Sequence, residues 1–268
     1  MKRIQFVRLS FLAAAMLAAA SMGINSTSAR AAGTAPYTCA GGSIAPGTYS
    51  WLTVAGTCAL DSGSVTVQHD VTILSGGALL AAFGGSDLIV GQDLNVHPDG
   101  VLVLGCEPEA FVCFNDPDQK VGTLMTHHVI GGDLVADRAL AVIVHKTAFY
   151  GNAIVSGGGG GVKCDPLAIL QDQPAFATFE DNVIVRDVFI TNWHSCWLGF
   201  IRNAVFGNVT FEQNMTFDPD ANEVVTNMIM GKLRCSANSP APQIGDSGGS
   251  LNTVPLGATD QCVSLVAP

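Results

Sequence analysis

A short pattern returns seven times along this chain, at uneven steps. It reads apolar, any residue, Gly or polar, Asn or Asp, apolar, any residue, apolar. The copies span 67–73, 90–96, 130–136, 149–155, 184–190, 205–211 and a degenerate 229–235. The anchor positions are Asp70, Asp93, Asp133, Asn152, Asp187 and Asn208, with Lys232 in the last copy. The steps between anchors are 23, 40, 19, 35, 21 and 24 residues. Period-2 alternation after each anchor describes a short strand with one buried face. A second apolar run follows most anchors, at 78–83, 101–104, 140–144 and 197–201. A unit this small cannot bury its apolar face alone, so neighbouring units must stack. Steps of 19 to 24 residues fit one coil of a stack. Steps of 40 and 35 fit two coils, or one coil carrying a loop.

The expected fold is therefore all-β: a right-handed parallel β-helix of about eight to nine coils, with looped insertions and disulfides. The coils are expected over 64–235, with an N-terminal cap at 32–63 and a C-terminal cap at 236–268. A β-sandwich also uses short alternating strands, but an Asn/Asp anchor at a near-constant period favours the solenoid. The pattern resembles right-handed parallel β-helix repeat proteins. Over 64–235 it is similar to the G-(D/N)-V-x-V coils of bactofilins. That resemblance implies a solenoid with a structural, filament-like role. Bactofilins are cytosolic and lack disulfides, and this chain departs from them on both counts.

Residues at one coil position stack in a solenoid. Asp70, Asp93, Asp133, Asn152, Asp187 and Asn208 are thus expected to form a turn ladder. Asn amides both donate and accept along such a column. Stacked carboxylates need solvent, a proton or a bridging cation. Calcium is the cation such a column would take, although the dense oxygen-rich loop of calcium repeats is missing. No other cofactor is expected. Two insertions are expected, near 106–121 and 157–181. The first is acidic, with Glu107, Glu109, Asp116 and Asp118. The second opens with five consecutive glycines.

Lys2, Arg3 and Arg8 precede an apolar run, and Ala29-Arg30-Ala31 forms an A-x-A site. Residues 1–31 read as a signal peptide of bacterial type, cut after Ala31. The protein is then secreted or held in the cell envelope, without a membrane span in the mature chain. No sorting motif appears near Pro268. Removal of residues 1–31 leaves 8 basic against 22 acidic residues, a formal charge of −14. That balance argues against a nucleic-acid partner. Eight cysteines remain, an even count that in an exported chain reads as disulfides. They allow 105 connectivities, of which neighbour pairing is the simplest: Cys39–Cys58, Cys106–Cys113, Cys164–Cys196 and Cys235–Cys262. No C-x-x-C pair exists to hold zinc.

Catalytic signals are sparse in a chain that is only 13% charged. Residues 245–250 read Gly-Asp-Ser-Gly-Gly-Ser and resemble the nucleophile loop of chymotrypsin-like proteases, with Ser247 in the nucleophile position. The matching His and buried Asp contexts are missing, so Ser247 reads as part of a Gly-rich turn. Asp181, Asp187, Asp218 and Asp220 are carboxylates that a polysaccharide-cleaving β-helix would need in a pair. None stands in a known lyase or hydrolase arrangement. The six His are scattered, at 69, 97, 127, 128, 145 and 194. No catalytic, metal or cofactor residue is therefore assigned. The expected function is structural or adhesive, with self-association through open strand edges. The alternative is a carbohydrate-active or carbohydrate-binding β-helix.

Overall fold

A computed structural model describes residues 35–82, 85–105, 127–245 and 248–268. Residues 1–34, the whole acidic stretch 106–121 with Cys106 and Cys113, and Ser247 lie outside the described residues. The described chain is a parallel β-helix of three sheets. Each coil contributes one strand to each sheet in turn. Coil 1 runs through Tyr37–Cys39, Gly42–Ser43 and Gly47–Tyr49. Coil 3 runs through Val71–Ile73, Ala78–Ala81 and Ser86–Val90. Among the described residues, eight coils carry all three strands. Leu233–Ser236 opens a ninth, which is completed by isolated bridges at Gln243 and Thr253. Ala258–Asp260 adds a last strand to the first sheet.

Register explains the uneven steps. Val71, Leu94, Leu134, Ala153, Val188, Val209 and Leu233 occupy one column of the first sheet. The step of 40 is thus one coil with extra residues between Val101–Leu104 and His128–Ile130. The step of 35 is one coil plus an excursion between Ala153–Ser156 and Phe176–Glu180. The strand register also extends into both stretches read as caps. Coils 1 and 2 carry no Gly-Asp anchor, which is why they escape the repeat. Phe176–Glu180, inside the stretch read as the second insertion, is itself a strand of the second sheet.

The interior is filled by inward columns of Val, Ile and Leu. Phe179, Phe200 and Phe211 pack tilted and edge-on between the sheets, with centroids 6.2 and 5.7 Å apart. Strands of the first sheet are buried on alternate residues only. Those of the second sheet are buried on both faces, as in Ala141–His145 and Phe176–Glu180. A second apolar cluster lies on its outer side, where Ala78, Leu80, Val103 and Ile143 meet Leu170 and Phe176. Leu170 belongs to the 157–175 excursion, which lies across this sheet.

Among the described residues, three disulfides join Cys39–Cys58, Cys164–Cys196 and Cys235–Cys262. The first ties coil 1 to coil 2, the second ties the excursion to coil 7, and the third ties coil 9 to the tail. Loops of this size correspond to about 3–4 kcal/mol each in the chain-entropy model. At the C-terminal end Leu265 is buried and Ala267 N–H donates to the Asn252 carbonyl. The tail thereby closes that end of the helix.

Candidate functional site

Three-residue turns join the third sheet to the first. Their last residues are the anchors, and they relay hydrogen bonds from coil to coil. Asp93 N–H donates to Asp70 Oδ1 at 3.0 Å, and Asp133 N–H to Asp93 Oδ1 at 2.8 Å. Asn152 N–H donates to Asp133 Oδ1 at 2.7 Å, and Asp187 N–H to Asn152 Oδ1 at 3.2 Å. Asn208 N–H donates to Asp187 Oδ1 at 2.7 Å, and Lys232 N–H to Asn208 Oδ1 at 3.0 Å. Each side chain thus accepts from the backbone of the next coil. At Gly132, Gly151 and Gly207 the residue before the anchor has no room for a side chain, while His69, Gln92 and Arg186 hold that place in other coils. A Cβ on Gly151 would fall within 3.0 Å of Asp133 Oδ1 and of the Gly132 carbonyl oxygen. Among the described residues, no group of three or more His, Cys, Asp or Glu is placed to hold a metal ion.

The first residues of the same turns point outward. Tyr150, Val185, Phe206 and Met230 occupy one column in coils 5 to 8. Val183 and Met228, in the adjacent outward column of the third sheet, extend the strip. Tyr150 is 58% exposed and Phe206 60%. No charged side chain stands in these two columns over these coils. The result is an uncharged apolar edge that follows the helix axis. Trp51, at the same corner of coil 1, instead stacks on His69 with centroids 4.3 Å apart.

The second corner, between the second and third sheets, carries a column that the sequence pattern missed. Asn182, Asn203, Asn227 and Asn252 are buried there, one per coil. Each follows a turn, and at Asp181, Arg202 and Thr226 the preceding residue is left-handed, with φ from 54° to 59°. Thr147 N–H donates to Asn182 Oδ1, Asn182 N–H to Asn203 Oδ1, and Asn203 N–H to Asn227 Oδ1. The Asn203 Nδ2 group donates to Asn227 Oδ1 and to the Phe179 carbonyl. Here each side chain accepts from the previous coil, opposite to the anchor column. A third column, Asn214 and Asn238, does the same at the remaining corner, with Gln261 at its end.

The buried charges lie on the outer side of the second sheet. Glu180 pairs in register with His145 and carries no exposed surface. Its Oε1 accepts from Thr178 Oγ1 at 2.8 Å, and its Oε2 accepts from Arg202 Nη2 at 3.0 Å. Arg202 also donates to both Asp181 oxygens, at 2.9 and 3.0 Å. Burial pushes the Glu180 carboxyl up to about 8, against the opposing pull of Arg202. Burial, and then Arg202, lowers the His145 imidazole to about 3. His145 is therefore neutral, and its 3.9 Å approach to Glu180 is not an ion pair. Two carboxyl groups on one guanidinium, with Glu180 fully buried and Arg202 reaching partly to solvent, make a structural cluster. Both Glu180 oxygens already have partners in it.

The other candidates are accounted for locally. Gly245 stands where a Cβ would meet the Glu223 carboxylate, and Gly249 where one would meet Val225 and Thr226. Ser250 N–H donates to Thr226 Oγ1 at 2.8 Å. The glycines of the protease-like segment thus serve close packing against coil 8. In the Trp193-His194-Ser195-Cys196 segment, Trp193 is fully buried and its Nε1 donates to Ser195 Oγ. Ser195 in turn donates to the Trp197 carbonyl. Trp197 sits over Gly199 against the outer cluster of the second sheet, whereas Trp193 lies in the interior. His128 is buried and its Nδ1 accepts from Leu88 N–H at 3.0 Å. Asp218 accepts from Asp220 N–H at an exposed turn.

No family model matches the chain, and no curated protein or solved structure matches it.

Proposed function

We propose that the mature chain is an exported, non-enzymatic structural or adhesive β-solenoid of the cell envelope or extracellular space. The observation that carries this reading is the uncharged apolar edge of Tyr150, Val185, Phe206 and Met230, flanked by Val183 and Met228. Contiguous exposed apolar surface marks an interaction site, and here it lies on a rigid, disulfide-tied scaffold. The closed C-terminal end favours lateral contact over end-to-end growth. The likeness to bactofilin coils supports a scaffold role. Export rests on the signal-like segment 1–31, and the three disulfides fit an oxidising compartment. Among the described residues, no helix is long and apolar enough to cross a membrane.

The carbohydrate alternative gains support from Tyr150 and Phe206, which stand two coils apart, roughly 10 Å at the spacing of stacked strands. A partner of that kind is an uncharged glycan, since an acidic chain repels polyanions.

Fractionation of cells exporting the chain tests the reading. The wild type is expected with the envelope or the extracellular matrix. A variant with Tyr150→Ser, Val185→Ser, Phe206→Ser and Met230→Ser, still folded by circular dichroism, is expected in the free medium. A wild type found wholly in the free medium, bound to no surface or matrix, contradicts the structural or adhesive role.

A further inference from the structure

We infer that the Cys164–Cys196 disulfide is a redox latch, which holds a strap closed over the outer face of the second sheet. The three bridges differ in access. Cys39, Cys58, Cys235 and Cys262 are all essentially fully buried. Cys164 is exposed, and its partner Cys196 is nearly buried. Thiol–disulfide exchange requires a thiolate to reach a sulfur atom. Among the described bridges, only Cys164 offers one.

The strap has fixed ends and a lightly held middle. Its first end is woven into the coils: Gly159 N–H donates to the Ala139 carbonyl, and Gly161 N–H to that of His194. At the other end the Ala175 carbonyl accepts from Cys196 N–H. Gly157 to Gly161 all have positive φ, between 65° and 100°, a conformation that only Gly adopts without strain. Between the ends, Pro166–Leu167 pairs antiparallel with Gln173–Pro174 around a short 3-10 turn at Ala168–Leu170. This small hairpin buries Leu170 against the outer apolar cluster, with Leu167 and Ile169 partly buried beside it. The Lys163–Asp165 pair is exposed and contributes little. Leu170, the partly buried Leu167 and Ile169, and one accessible disulfide thus hold the strap over Ile143, Val103 and Phe176.

The opening step needs an external dithiol. One thiolate of the dithiol attacks the Cys164 sulfur, and Cys196 leaves as a thiolate that takes up a proton. The second thiol of the reductant, as thiolate, then attacks its own sulfur in the mixed disulfide and releases Cys164. The dithiol is oxidised to its cyclic or internal disulfide, and the bridge takes up two electrons and two protons.

Graded dithiothreitol treatment of the mature, oxidised protein tests this, with alkylation and peptide mass spectrometry to assign each reduced cysteine. Cys164 and Cys196 are expected to be reduced at least tenfold faster than Cys39–Cys58 and Cys235–Cys262. Hydrogen exchange should then show amides of 162–174 exchanging at least tenfold faster, with the amides of 142–144 unchanged. A double variant, Cys164→Ser with Cys196→Ser, should show the same exchange pattern without reductant. Reduction of all three bridges together overturns the inference. So does an unchanged strap after selective reduction, an arm on the wild type that decides the matter even if the double variant fails to fold.

Discussion

Two corners of the same helix solve one problem in opposite ways. At the corner between the third and first sheets, Asp and Asn side chains accept backbone N–H groups from the next coil. At the corner between the second and third sheets, Asn side chains accept them from the previous coil. The first column is half exposed and tolerates carboxylates, because water solvates the oxygen that the ladder leaves free. The second is buried, and every residue from Asn182 to Asn252 is an amide. A buried side chain in that position accepts one hydrogen bond and donates two, which an amide does and a carboxylate cannot.

The largest expected effect breaks this comparison directly. Asn203→Asp places a carboxylate against Asn227 Oδ1 and the Phe179 carbonyl, both of which now accept hydrogen bonds. The expected loss is about 3–5 kcal/mol, as for an unpaired buried charge. Asn208→Asp at the exposed corner keeps its acceptor for Lys232 N–H and is expected to cost less than about 1 kcal/mol. Urea denaturation of the two variants measures the contrast, and equal losses would remove the distinction between the corners.

The next effect extends the buried column to its histidine end. Burial lowers His128 to about 4, below its ordinary 6.5. Its neutral form is favoured by folding, so the associated stability is present above pH 6.5 and is lost as pH falls from 6.5 towards 4. The full linkage is on the order of 3 kcal/mol. Glu180 has the opposite sign: raised to about 8, it contributes below pH 4.5 and loses that contribution as pH rises to 8. Comparison of wild type with His128→Asn isolates the histidine, because Asn keeps an acceptor for Leu88 N–H. The variant is expected to show a flatter melting temperature between pH 6.5 and 4.

A smaller effect is expected within the exposed corner itself. Gly151→Ala drives a methyl group into the coil beneath and should cost about 1–3 kcal/mol, the range for overpacking. Gln92→Ala, at the equivalent turn position with an exposed side chain, should be nearly neutral. Smallest of all, Tyr150→Ser and Phe206→Ser should leave stability within about 0.5 kcal/mol, since both rings face solvent. Thermal melts rank these variants.

The exposed corner was legible in the sequence because it combines a small residue, a fixed Asn or Asp and an alternating strand. The second-sheet strands were legible as apolar runs because both their faces are buried. The Asn columns were not legible. The residues before Asn182, Asn203 and Asn227 are Asp, Arg and Thr, chemically unlike but sharing one left-handed backbone. The third-sheet strands that follow are only two residues long at Val183–Ile184, Ala204–Val205 and Met228–Ile229, too short to show a period. The Glu180, Arg202 and His145 cluster was hidden for a different reason. Its members lie 22 and 35 residues from Glu180 and meet only through coil register. The apolar edge was hidden likewise, since each coil gives it one or two residues.

The helix is proposed to act through its outer edge, with the Glu180, Asp181, Arg202 and His145 cluster holding the coils together. The most direct test incubates the mature, oxidised protein with a panel of neutral and acidic polysaccharides and looks for cleavage products by mass spectrometry. No products are expected from the wild type, and Glu180→Gln is expected to change stability alone. Products formed by the wild type and lost in a folded Glu180→Gln variant would contradict the structural role of the cluster.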